Sequence, residues 1–249
     1  MIRAERHERI LGELARLGTV SAQGLADLLN ASLATVRRDI AELDTQGALK
    51  RTHGGASLPQ RREELHFDAK LMSFLSEKRR IGAHVGSMIE EGSTIGLGGG
   101  TTVMQLLPAI RRMQLKLITT AVNVAQELRS AQHITVTLTG GTLRRRTGEM
   151  VGHIAERTLR DVNLDVAVIS VDGLDASGGL TTFDLSEAFV NRVMLEQARE
   201  VWIMADHSKI GQVLPALIAP LSRVTRIVTD TGASQADIAP LSAAGLPGR

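Results

Sequence analysis

The run Gly98-Gly99-Gly100-Thr101-Thr102 has the make-up of an anion cradle. Consecutive glycines let backbone N–H groups converge, the start of a following helix adds a positive dipole end, and Thr101 and Thr102 add hydroxyl donors. Lys209 offers a mobile cation, and Asp172 an acceptor for the hydroxyls of a sugar or polyol. A phosphorylated small molecule suits that chemistry. No Gly-Lys-Ser/Thr follows the loop, so it is not a Walker-type phosphate cradle. Gly96-x-Gly98-x-x-Thr101 comes near the dinucleotide fingerprint, but the next strand runs into Thr119-Thr120, with no acid for a ribose hydroxyl. A nicotinamide ligand is therefore not expected.

A second cluster, Thr35, Arg37 and Arg38 with Lys50, Arg51 and His53, suits DNA. Arginine grips guanine bidentately or binds phosphate, and spacing alone leaves both open. Taken alone, Arg37-Arg38 reads equally as the solvated face of a helical hairpin. The elements around it tip the balance. Ile10, Leu14 and Leu17 recur at helical spacing and Gly18 ends the run. Ser21 is placed to cap a helix carrying Leu25, Leu28 and Leu29. Asn30-Ala31-Ser32 makes a tight connection, and Ser32 caps a third helix that buries Val36, Ile40 and Leu43. A helix-turn-helix puts the start of such a helix in the major groove. The run from Gly47 to Ala56 reads as a strand, a glycine turn and a return, a hairpin wing. The expected DNA-facing set is Ser21, Ser32, Thr35, Arg37, Arg38, Lys50, Arg51 and His53.

Residues 1–57 form the expected DNA-binding domain, 58–70 a linker containing Pro59, and 71–249 a second domain. There, after a helix near 76–89, short apolar runs at 94–97, 116–119, 134–139, 165–171, 201–205 and 226–229 alternate with helical stretches. That pattern predicts an α/β domain, doubly wound on a mainly parallel sheet. Small and polar residues follow each run: the glycine loop, then Thr120-Ala121, Gly140-Gly141-Thr142, Asp172-Gly173, Asp206-His207-Ser208-Lys209 and Asp230-Thr231-Gly232. They collect at the carboxyl ends of the strands, where open α/β sheets bind ligands. The expected effector set is Gly98, Gly99, Gly100, Thr101, Thr102, Thr120, Gly141, Arg144, Asp172 and Lys209. Arg145 and Arg146 read as a solvated loop. Glu187 reads either as a site residue or as a helix start.

Composition narrows the classes. There is no Cys, which excludes disulfides and thiolate metal sites. The 7 His are scattered, so neither a metal nor a cofactor is expected. With no Tyr and 1 Trp, stacking platforms for single-stranded bases are nearly absent. The charged start leads into no signal-type apolar core, and no apolar run approaches the roughly 18 residues of a membrane span. A cytoplasmic protein without membrane contact is expected. Residues 1–62 hold 10 Lys and Arg against 7 Asp and Glu, and the remainder 19 against 20, which fits a small nucleic-acid module beside a neutral one.

Val36-Arg37-Arg38-Asp39-Ile40, then Leu43, Gly47, Leu49, Arg51 and His53-Gly54-Gly55-Ala56, resembles the DeoR family of transcription regulators. Its helix reads Ser-x-x-Thr-x-Arg-Arg-Asp-Leu and its wing Arg-x-His-Gly-Gly-Ala. In that register Asp39 is expected to do an internal job, such as pairing with an Arg of its own helix. Leu97-Gly98-Gly99-Gly100-Thr101-Thr102 stands where the family has Leu-Asp-Ser-Gly-Thr-Thr. Gly140-Gly141, Asp172-Gly173, Gly179-Leu180-Thr181, Ala205-Asp206-His207-Ser208-Lys209 and Thr229-Asp230 match as well. The resemblance implies a sensor domain similar to ribose-5-phosphate isomerases and CoA transferases. It also implies a homo-oligomeric repressor that a phosphorylated sugar or polyol releases from double-stranded operator DNA. The departures are Gly24 for an acid, Ala31 for Val, Gly98 and Gly99 for Asp-Ser, and Thr119-Thr120-Ala121 for Thr-Asn-Ser. Two alternatives are an isomerase- or transferase-like enzyme carrying a DNA module, with Asp172, Asp206 or Glu187 as its carboxylate, and a DNA-binding protein that senses nothing.

Overall fold

A computed structural model describes residues 2–45, 48–57 and 64–244. The chain divides into two compact units, Met1–Leu75 and Ser76–Arg249.

The first unit runs α1 (Arg3–Leu17), β1 (Thr19–Ser21), α2 (Ala22–Leu29), α3 (Leu33–Thr45), β2 (Lys50–Arg51), β3 (Gly55–Ser57) and α4 (Phe67–Met72). Its core joins Ile10, Leu11 and Leu14 of α1 to Leu25, Ala26 and Leu29 of α2 and Val36, Ile40 and Leu43 of α3. Each such large side chain taken wholly out of water contributes roughly 1.5–3 kcal/mol. Two expected core residues are not in it. Leu28 is exposed because α2 buries Ala22, Leu25, Ala26 and Leu29, an i, i+3, i+4, i+7 stripe that position 28 does not share. Leu17 is exposed where Gly18, at φ +74, turns the chain out of α1. Asn30 closes α2 in the left-handed region, which sets the turn into α3. The hairpin is in fact a three-stranded sheet of order β1-β3-β2, because Val20 pairs with Ala56. Any side chain at 55 would run into the backbone of Val20, so the glycine is what lets β1 and β3 close. Gly47 and residues 58–63 of the expected linker lie outside the described residues. The linker's last residues are helical: α4 brings Met72 onto the core of the first unit.

The second unit runs α5 (Leu75–Gly86), β4 (Thr94–Leu97), α6 (Thr101–Met104), α7 (Leu107–Ile110), β5 (Leu115–Thr119), α8 (Val122–Leu128), β6 (Ile134–Leu138), β7 (Thr142–Arg144), β8 (Glu149–Val151) and α9 (His153–Arg160). It continues with β9 (Leu164–Ser170), β10 (Gly173–Asp175), β11 (Gly179–Thr182), α10 (Leu185–Glu196), β12 (Ala198–Met204), β13 (Ala216–Ala219), β14 (Arg226–Val228) and α11 (Gln235–Ala243). Six strands form a parallel sheet of order β14-β12-β9-β4-β5-β6. Alternation along β9 shows why both faces are covered. Ala167 and Ile169 pack with α9 and α10, while Val166 and Val168 pack with α5, α7 and α8. In β12, Val201 and Ile203 take the first face, and Trp202 and Met204 the second. The sequence reading did not anticipate the antiparallel additions, a sheet of order β10-β11-β13 and the β7–β8 hairpin.

Candidate DNA-binding face and effector site

In the first unit, packing sorts the side chains of α3. Val36, Asp39, Ile40 and Leu43 are buried, which turns Arg37 and Arg38 outward. Ser32 Oγ accepts the Thr35 N–H at 3.1 Å and lies 2.8 Å from Thr35 Oγ1, while Ser21 Oγ accepts the Gly24 N–H at 3.0 Å. These hydroxyls therefore fasten helix starts. Lys50 and Arg51 on β2 and His53 in the turn are exposed, and Asp44 Oδ1 holds the wing by accepting the Arg51 N–H at 3.0 Å.

Asp39 does have an internal job, but its partner is not an Arg of its own helix. Arg6 of α1 donates from Nε at 2.7 Å and from Nη2 at 3.1 Å, and His7 Nε2 stands 3.4 Å away. Arg37 and Arg38 are too near in sequence to face it, since helix positions one or two apart point different ways. Burial alone would raise the Asp39 pKa, but the hydrogen bonds and charge of Arg6, with His7, more than offset it and hold the carboxyl below the usual range.

In the second unit, β4 lies between β5 and β9, and the chain leaves β4 toward β5 and returns on its other side as β9. The crevice between the carboxyl ends of β4 and β9 is therefore the topological switch point, where open α/β sheets bind ligands. The glycine loop follows β4 there, and Ser170 at the end of β9 donates from Oγ to the Gly99 carbonyl at 3.0 Å. Gly100, at φ +104, has no room for a side chain against Ser170 Oγ, and Thr101 and Thr102 are buried at the start of α6.

Around this crevice lies a network of buried charges. Arg144 Nη1 stands 3.1 Å from Glu187 Oε2, and its Nε 3.4 Å from Asp184 Oδ2. Thr182 Oγ1 is 3.2 Å from both Asp172 Oδ2 and Glu187 Oε1. Thr120 donates from Oγ1 to Glu149 Oε2 at 3.2 Å. Thus Arg144 and Asp172 join one network through Glu187 and Thr182. Glu187 stands in the first turn of α10, where Asp184 accepts its N–H at 3.0 Å, and its carboxylate meets Arg144. Gly141, at φ +121, turns the chain into β7. Lys209 stands in a single 3-10 turn after β12, with no ion pair among the described residues. Asp230 anchors that turn, accepting the His207 N–H at 2.8 Å and lying 2.9 Å from His207 Nδ1. Burial opposes the Asp230 charge, but donors from His207 and Gly232 outweigh it and keep its pKa below the ordinary value.

Sequence reasoning missed Glu149, Ser170 and Asn191. Glu149 lies in a hairpin that no periodicity marks, and Ser170 read as the end of an apolar strand. Asn191 falls inside α10, its side chain amid buried Ala188, Val190 and Met194. A cleft of about 360 Å³ lined by Arg111, Arg112 and Glu127 lies beside the C-terminal ends of α7 and α8, away from the strands' carboxyl edge. Among the described residues no three His, Asp or Glu are grouped to hold a metal, and no helix is long and apolar enough to cross a membrane.

A winged helix-turn-helix joined in one chain to a doubly wound α/β sensor domain defines a class of ligand-responsive DNA-binding regulator. The chain belongs to the DeoR family: the models described as DeoR-like helix-turn-helix domain and DeoR C terminal sensor domain match residues 6–62 and 73–231. It is 34% identical over 226 residues, 90% of this chain and 87% of the relative, to the HTH-type transcriptional repressor CsqR of Escherichia coli (strain K12). It is 31% identical over 231 residues, 92% of each chain, to the glycerol-3-phosphate regulon repressor of the same organism. Ribose 5 phosphate isomerase A from Neisseria gonorrhoeae aligns with a TM-score of 0.40 and 15% identity over 56% of this chain and 53% of that one, too slight a likeness to carry weight.

Proposed function

We propose that the protein represses a carbohydrate or polyol catabolic operon, and that a phosphorylated sugar or polyol releases it from operator DNA. The observation that carries this reading is the pairing, in one chain, of an outward Arg37-Arg38 face on α3 with a glycine-lined switch point in the second unit. Arg37, Arg38 and the wing residues Lys50, Arg51 and His53 read the operator. Gly98 to Thr102 hold the phosphate, Thr120, Arg144 and Asp172 with Glu187 face the hydroxylated part, and Lys209 closes on the anion. One relative is named for a glycerol-3-phosphate regulon, which agrees with a phosphorylated polyol. The protein works as a homo-oligomer, with half-sites roughly 34–36 Å or a multiple apart. A coupling of about 1–3 kcal/mol between effector and operator changes affinity about 5–150-fold.

The test is operator binding by fluorescence anisotropy at fixed salt, titrated with triose, pentose and hexose phosphates. One of them weakens specific binding at micromolar concentration. Specific binding that no phosphate alters would overturn the effector assignment. Turnover of a sugar phosphate would make the second unit an enzyme.

A further inference from the structure

Helix α10 is apolar where a surface helix is ordinarily polar. The positions it leaves to solvent are Leu185, Ser186, Phe189 and Glu196, with Arg192 half-buried among them. Residues 185, 189, 192 and 196 recur at helical spacing and make one stripe. Leu185 is 60% exposed and Phe189 44%. A helix that is apolar on nearly every side belongs inside a protein or an assembly, since water rewards none of its faces. Beside the stripe, Leu217 of β13 adds a third large apolar side chain at 46% exposure. Arg192 joins the two elements. Its guanidinium lies 5.4 Å from the centre of the Phe189 ring, and donates to the Leu217 carbonyl at 2.6 Å and the Ile218 carbonyl at 2.9 Å. The cation of the stripe is therefore turned onto its own chain. Glu196, at the far end, pairs with Arg160 of α9 at 3.9 Å.

We propose that this face, Leu185 and Phe189 of α10 with Leu217 of β13, is where two copies of the chain meet across a two-fold axis. The inference deepens the homo-oligomer reading above and rests on it. Charge favours a second copy over a foreign partner. In a two-fold contact each patch meets itself, so an outward charge would face its like. Arg192 and Glu196 are both engaged within the chain, which leaves nothing at the centre to repel a copy and no ionic group for a partner of opposite charge to read. Composition agrees, because the centre of a homodimer interface is more apolar and less charged than the rest of the surface. The three side chains form the middle of the roughly 800 Å² that each partner in a stable complex covers. The inner side of α10 faces the effector crevice. Glu187 meets Arg144 there, and Asn191 Oδ1 lies 3.2 Å from where a methyl group at 98 would sit. One helix thus touches the crevice on one side and the second copy on the other, so a small shift of α10 on effector binding is felt at the contact.

The chain has no cysteine, so single cysteines report on the contact without background. Phe189→Cys and Leu217→Cys in the full chain are treated with a short bis-maleimide, beside Glu127→Cys on α8, which packs on the other face of the sheet. Sedimentation over a concentration series reads the dimer dissociation constant of the unaltered chain and of Phe189→Glu and Leu217→Glu, which set like charges opposite one another. Cross-linked dimers are expected from positions 189 and 217 but not from 127, and each charge raises the dissociation constant about tenfold or more. The cysteine variants carry the test if a charged variant does not fold. If the unaltered chain associates, the two cysteines do not cross-link and the charged variants associate as tightly, this inference is wrong and the homo-oligomer reading stands. If the unaltered chain is monomeric at every concentration, both fall.

Discussion

The two units present their chemistry in opposite ways. The proposed DNA-facing groups, Arg37, Arg38, Lys50, Arg51 and His53, lie on one helix and one hairpin and are exposed. The proposed effector-facing groups are mostly buried and arrive from six stretches: the glycine loop, the ends of β5 and β9, the β7–β8 hairpin, the start of α10 and the turn after β12. Each follows from what is bound. A duplex is larger than the unit that reads it, so its partners must project into solvent. A small ester must be surrounded, and only a sheet edge brings so many segments to one place. Substitutions in the first region should therefore change binding while sparing the fold, and substitutions in the second should change both.

Arg144→Ala is the strongest test of that contrast. It takes the cation from buried Glu187 and half-buried Asp184, so the second unit should lose about 3 kcal/mol and melt several degrees lower. Unaltered melting would mean that the network is not structural and would break the contrast. Next come Arg37→Ala and Arg38→Ala, each expected to weaken operator binding by about 1–3 kcal/mol, roughly 5–150-fold, with the melting temperature preserved. Normal binding by both would remove α3 as the reading element. The smallest effect concerns pH. The depressed Asp39 pKa adds stability that is complete above the unfolded value near ~4 and is lost as pH falls through the folded value. Amide protection in α1 and α3, relative to intrinsic exchange, should fall below about pH 4, and Asp39→Asn should flatten that dependence at a cost of about 2 kcal/mol at neutral pH. An unchanged acid profile in Asp39→Asn would show that the pair contributes nothing.

What could be read from the chain beforehand follows the same division. The strand at 94–97 and the stripe Val36, Ile40 and Leu43 were legible because their signals are local: an apolar run closed by glycine, and a helical period. The capping roles of Ser21 and Ser32 were legible for the same reason. The antiparallel sheet of β10, β11 and β13 was not, since Leu180 meets Ala219 across a long stretch of intervening chain. Nor was Glu149, which meets Gly99 across three helices and three strands of intervening chain. The partner of Asp39 was misread because its proper donor, Arg6, lies on another helix, 33 residues away.

That buried staple has a consequence for recognition. Asp39 follows Arg37 and Arg38 directly, and its carboxylate is fastened across to α1 while the stripe of Val36, Ile40 and Leu43 seats the next turns. The backbone beneath the two arginines is thereby immobilised before any operator arrives. Ordering a long side chain at an interface costs about 0.5–1.5 kcal/mol, and a mobile stem would add to it. In the proposed interface, a backbone settled in advance by Asp39 leaves only side-chain rotamers to be frozen at the duplex, a gain in preorganisation supplied by a buried residue.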